Sequence, residues 1–147
     1  MKTARHEFVT FIASTPEKVW NALIDPAETR KYWQHENRSD WKPGSRWEHY
    51  DPYGEQSIDL VGKVAEFTPP SRMVLTWAFA EDEGREGAHS RVTFTVEPCR
   101  GVVRLAVAHE KLEPGSEMEE GIVDGWPKVL SSLKTLLETG APLPKLW

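Results

Sequence analysis

"DGWPKVLSSLKTLLETG", Asp124 to Gly140, is the stretch on which the reading of the whole chain turns. Trp126, Val129, Leu130, Leu133, Leu136 and Leu137 recur at spacings of three and four, while Lys128, Ser131, Ser132, Thr135 and Glu138 fill the remaining arc. This is an amphipathic helix whose apolar stripe is broad enough to lie on a sheet. Gly140 followed by Pro142 ends it. Its start has two readings. With Asp124 as the N-cap, Pro127 falls at the third helical position, where the backbone N–H has no intrahelical partner to lose. With Ser116 as the cap and Glu119 completing a capping box, the helix is longer and kinked near Pro127. From Asp124 to Gly140 it would run roughly 24 Å, enough to cross several strands spaced about 4.8 Å apart.

Such a stripe needs a greasy sheet beneath it, and the middle of the chain supplies one. "HEFVTFIAS" is rich in β-branched and aromatic residues and reads as a first strand. In "TPEKVWNALIDPAETRKYW", Thr15 caps a helix with Pro16 in its first position, and Asp25-Pro26-Ala27-Glu28 repeats the device as a capping box for a second. After a polar loop come "PGSRWEHYD", "SIDLVGKVAEFTPP", "RMVLTWAF", "SRVTFTVEP" and "GVVRLAVAHE", five more strands separated by tight or acidic turns. The expectation is an α+β chain with an antiparallel, six-stranded meander.

Strand parity assigns the faces. Met73, Leu75, Trp77 and Phe79 share one side, as do Val92, Phe94 and Val96; by the same rule Trp47, His49, Val103, Leu105, Val107 and His109 point inward. The opposite side reads as mostly polar. Antiparallel sheets with one apolar face need a cover, and the terminal helix provides it.

The 147-residue length fits a single domain spanning 1–147. No apolar run approaches the roughly 20 residues of a membrane span, so membrane insertion is not expected. The basic N-terminus MKTARHEFVT lacks a signal-like apolar stretch, which points to a cytoplasmic chain. A net charge of −5 argues against nucleic acid as a partner. Cys99 is the single cysteine, so neither an internal disulfide nor a thiolate metal cluster is available. The five histidines, His6, His35, His49, His89 and His109, show no metal-ligand spacing on one helix face. No elbow serine or phosphate loop appears either, and no cofactor is implied.

What remains is a heavy load of seven tryptophans. Trp20 reads as core. Trp41 reads as a staple of its turn, with closure of an entrance as the other reading, and Trp147 is terminal and uninformative. Trp33, Trp47, Trp77 and Trp126 surround one volume between the sheet, the helix pair and the last helix, and either fill it or leave space. The candidate lining set is Trp33, Trp47, His49, Leu75, Trp77, Phe94, Leu105, His109, Trp126, Leu130 and Leu133. His49 and His109 are either polar fixtures of a cavity or core histidines bonded to backbone. Glu66 is the one carboxylate whose parity could bring it beside them, unless a bulge at "EFTPP" turns it away.

The order of these segments resembles the START-like (SRPBCC) superfamily, and within it the family of homologues of the activator of the heat-shock-protein-90 ATPase. The resemblance runs through "TPEKVWNALIDPAETRKYW", "SDWKPGSRW", "GKVAEFTPPSRMVLTW", "RVTFTVEP", "VVRLAVAHE" and "GWPKVLSSLKTLLETG". It implies a helix-grip fold, a curved sheet wrapped on a long C-terminal helix. The favoured function is non-catalytic binding or carrying of a small hydrophobic or aromatic molecule between sheet and helix. The alternatives are a cofactor-free cyclase or hydrolase using an inward histidine, and a regulator of the chaperone ATPase, which rests on the resemblance alone. Pairing with a second copy through an edge strand or the convex face is open.

Overall fold

The computed structural model describes residues 2–145; Trp147 lies outside the described residues. The chain runs β1 (Ala4–Ile12), α1 (Pro16–Ile24), α2 (Pro26–Trp33), β2 (Glu36–Ser39), β3 (Arg46–Tyr50), β4 (Ile58–Thr68), β5 (Arg72–Phe79), β6 (Ser90–Cys99), β7 (Val102–Leu112) and α3 (Glu117–Thr139), with two short 3-10 turns between β5 and β6. All strands pair antiparallel in one sheet, ordered β1-β7-β6-β5-β4-β3-β2. The helix-grip arrangement expected from the sequence is present, with seven strands where six were expected. The added strand, β2, has the sequence ENRS, too short and polar to show an apolar alternation. It is held instead by pairing with β3 and by a buried Asn37, whose backbone N–H donates to Thr29 Oγ1.

Both N-caps form where the sequence puts them, but Glu28 does not close a capping box, because the Asp25 N–H donates to the Asn21 carbonyl and Glu28 meets Lys31. Thr15 accepts from the Lys18 N–H, and Asp25 accepts from the Ala27 N–H while ending α1. For α3 the longer reading is correct. Ser116 is the N-cap and accepts from the Glu119 N–H, so Pro127 sits inside a continuous helix rather than in its first turn. The carbonyl that Pro127 leaves without a donor belongs to Val123, which is exposed and can be hydrated.

The core lies between the concave face and the helices. Trp47, Leu105, Val107, His109 and Leu133 are fully buried, with Leu75, Trp77, Phe94, Trp126 and Leu130 nearly so. The opposite face is less polar than alternation implied, because Val74 and Ala78 are also buried and Ala106 and Ala108 almost so. Val74 and Ala108 both face Thr93 across the ladder, and Ala106 faces Thr95, so these small side chains sit low on the sheet. At the other end Gly62 makes room for an indole: Trp47 Nε1 donates to the Thr76 carbonyl at 2.8 Å, and a Cβ on Gly62 would fall 1.9 Å from that oxygen. Only glycine fits there.

The sheet's outer border at β1 is bridged by α3. Lys134 donates to the Phe11 carbonyl, and Glu138 accepts the Ala13 N–H at 2.7 Å. Among the described residues, no helix is long and apolar enough to cross a membrane.

Candidate functional site

The volume beneath the middle of α3 is filled by aromatic rings. Trp33 of α2 lies 5.3 Å from Trp126 of α3 and 6.2 Å from Trp77 of β5, centroid to centroid, and Trp77 lies 4.8 Å from Trp47 of β3. Large rings meeting tilted and offset bury much apolar area and leave little void. The shared hollow expected from the sequence is therefore largely plugged by the residues expected to line it.

His109 is absorbed into this packing. Trp126 Nε1 can only donate, and it donates to His109 Nδ1 at 3.1 Å. The ring proton of neutral His109 then sits on Nε2, 2.7 Å from Ser90 Oγ, and the Ser90 hydroxyl donates a hydrogen bond to the Trp77 carbonyl at 3.1 Å. Every polar atom of the relay is used. Burial, with a smaller push from His6, lowers the His109 pKa to about 3, so the ring is neutral at ordinary pH.

His49 is likewise buried, bonds Asn37 Oδ1 through Nδ1, and is held well below the usual histidine pKa by burial and by the neighbouring His35. His35 stacks parallel on it, with ring centroids 4.1 Å apart. The outer ring meets Asp59 Oδ2 through Nε2 at 2.7 Å and the Trp33 carbonyl through Nδ1. His35, Asp51 and Asp59 bring ligand-type atoms within 4.8 Å of one another, the set among the described residues best placed to hold a cation. Much of its capacity is already spent: Asp51 accepts the N–H groups of Tyr53, Gly54 and Glu55, which hold its carboxyl below the usual range.

The acid–base partnership considered from the sequence is not assembled. A bulge between Val64 and Glu66 turns Glu66 outward, where it pairs with Arg72 at 3.1 Å in solvent. No histidine lines the apolar cavity bounded by Trp33, Trp77 and Trp126.

That cavity, about 220 Å³, lies at the N-terminal end of α3. Trp33, Trp77 and Trp126 form its inner wall, Leu60 and Phe79 its sheet side, and Met118, Gly121, Ile122, Gly125 and Val129 its helix side, with Glu117 at the edge. Of the residues proposed from the sequence, Trp33, Trp77 and Trp126 line it. Trp47, His49, Leu75, Phe94, Leu105, His109, Leu130 and Leu133 do not; they are core. Trp41 stacks on Phe67 at 6.2 Å, outside the lining, as a staple would. The missed lining residues are Leu60 and Phe79 of the sheet and, on α3, Glu117, Met118, Gly121, Ile122, Gly125 and Val129, mostly upstream of the apolar stripe. A signal for the α3 residues was present: Glu117, Gly121, Gly125 and Val129 recur every four residues.

The family of Activator of Hsp90 ATPase homolog 1-like proteins matches residues 13–138, nearly the whole of this architecture. The chain belongs to that family. No curated protein matches it. Among solved structures it is similar to the Aha1 dimer from Colwellia psychrerythraea, at 20% identity and TM-score 0.75 over 95% of this chain and 98% of that one. It is also similar to an HSP90 activator from Plasmodium falciparum, at 22% identity and TM-score 0.74 over 90% of this chain and 95% of that one. A protein from Mesorhizobium loti aligns at 25% identity and TM-score 0.71 over 90% and 96%. These likenesses establish the fold; an activity does not pass through them.

Proposed function

We propose that this family member binds a small hydrophobic or aromatic molecule, without catalysis, in the cavity at the N-terminal end of α3. One observation carries the reading: an apolar cavity of about 220 Å³ walled by three indoles, with no histidine in its lining. An apolar void of about 150 Å³ accepts benzene, whereas sites for drug-sized molecules start near about 300 Å³. The space suits one or two fused rings. Titration with p-nitrophenol, which quenches indole emission, tests it. Saturable quenching that disappears when Ile122→Trp fills the cavity is expected; quenching that never saturates, and is the same in the variant, would sink the reading.

A second reading, regulation of an Hsp90-type ATPase, is favoured by the family match over residues 13–138 and by the description of the Plasmodium protein as an HSP90 activator. The Colwellia structure, a dimer, makes pairing of two copies part of that reading. Adding the chain to a purified Hsp90 and measuring phosphate release decides it, since an unchanged rate at saturating chain leaves the binding reading alone.

A further inference from the structure

Two glycines sit where a helix does not want them. Gly121 and Gly125 lie inside α3, where each is about 1 kcal/mol less favourable than alanine. The usual reasons for an interior glycine do not apply. Neither has a positive φ, and a Cβ built on either meets no heavy atom within 4 Å. No close-packed neighbour demands the missing side chain, unlike Gly62. What the two share is position, since both line the cavity.

At a spacing of four they stand one above the other on the helix face, about 6 Å apart along its axis. Together they form a bare strip of backbone in the lining that they share with Trp33 and Trp77. Glu117 continues the same line one turn outward at the mouth, and Val129 continues it one turn inward. Trp33 and Trp77 lie within 23° of parallel, so the strip and these two rings favour a flat occupant. A planar ring fits against them, whereas a branched or saturated chain of equal volume leaves gaps against both and loses dispersion contacts. Glu117 is the one ionisable side chain in the lining, so a ligand's carboxylate would be repelled at the mouth and an ammonium attracted.

We infer that Gly121 and Gly125 are the specificity-determining positions of the cavity, shaping a slot for a planar aromatic of one or two rings that is uncharged or cationic, with Glu117 discriminating against anions. This rests on the binding reading above and names its ligand class.

The experiment is a nitrogen-15 NMR titration of the full chain with indole, tryptamine and indole-3-acetate, following the amides of Gly121 and Gly125. Tryptamine and indole should bind, and indole-3-acetate should bind at least about tenfold more weakly, a difference of about 1.4 kcal/mol. Glu117→Gln should narrow that gap by weakening tryptamine and strengthening the acetate. Gly121→Ala and Gly125→Ala should each raise Tm by roughly 2–4 °C while weakening indole binding at least about tenfold. More stable and less able to bind is a combination that a merely structural glycine would not give. Binding of indole that survives both alanine variants within about twofold would overturn the inference and leave the cavity reading standing. Acetate binding as tight as tryptamine would overturn the charge selection, and no binding of any of the three probes would end both.

Discussion

Between Glu117 and Pro127, α3 carries Gly121, Gly125 and Pro127; between Lys128 and Thr139 it carries no glycine or proline and buries Val129, Leu130, Leu133 and Leu136. The second half follows the sequence-based reading in its buried leucines and in an αL Gly140 whose N–H closes on the Leu136 carbonyl; Ser132, which spacing puts on the polar arc, is instead buried and accepts the Leu143 N–H. The first half is built against helix propensity, since a glycine is about 1 kcal/mol and an interior proline about 3 kcal/mol worse than alanine. It is held by outside contacts instead. Ser116 caps it, Glu119 reaches the Gly115 N–H and pairs with His6 of β1 at 2.8 Å, and Trp126 hangs from His109 of β7. The difference teaches that anchoring and enclosing are separate tasks within one helix. The anchor is packed tight, and the enclosing half gives up intrinsic stability for space.

The largest effect should come from the anchor. Leu133, fully buried, should cost about 2–5 kcal/mol when cut to alanine, read as a fall in the urea midpoint. Met118→Ala, at the half-buried cavity wall, should cost much less. Equal losses at the two sites would break the comparison.

Pro127→Ala should move stability the other way, by up to about 3 kcal/mol, less what the unfolded chain regains in freedom. Thermal denaturation reads it. A loss of stability would mean that the pyrrolidine ring packs usefully where it stands, and that the enclosing half is not strained.

Acid should loosen the first half through its tether. An unfolded histidine takes its proton near pH 6.5, whereas folded His109 resists until about 3. Between those values the unfolded state binds the extra proton, so the stability associated with neutral His109 is complete above about 6.5 and is lost as pH falls toward 3. The slope should approach about 1.4 kcal/mol per pH unit. His49 shifts in the same direction and shares the trend. In His109→Gln the stability–pH curve should be shallower by one histidine's share; an unchanged curve would show that His109 protonates freely.

The smallest effect should be Ser116→Ala, about 1 kcal/mol for a lost cap. Hydrogen exchange should quicken at residues 117–126 and not at 128–139. Exchange rising equally in both would mean that the helix opens as one piece.

Much of the fold was legible because parity and spacing are backbone properties. Trp47, His49, Met73, Leu75, Trp77 and His109 point where alternation sends them, and Thr15 and Asp25 cap where their side chains allow. β2 was not legible, since ENRS has no apolar rhythm and is ordered by tertiary contacts through Asn37. Glu66 was open between two directions, because one bulge reverses a face: parity sends it inward, a bulge at "EFTPP" turns it away, and the register shift between Val64 and Glu66 decides for the second. The site was half legible for a further reason. Periodicity says which rings point inward but not whether they fill the hollow, and Trp33, Trp77 and Trp126 do both, plugging its middle and walling its end.

The bridge from α3 to β1 has a consequence for how the protein comes into being. β1 is made early and its guard last: Lys134 and Glu138, which occupy the Phe11 carbonyl and the Ala13 amide, leave the ribosome more than a hundred residues later. Until then a strand with exposed Val9 and Phe11 offers a bare margin to any other nascent chain. Slow translation of the final leucine-rich segment would lengthen that exposure, and a chain cut short after Pro127 would never end it.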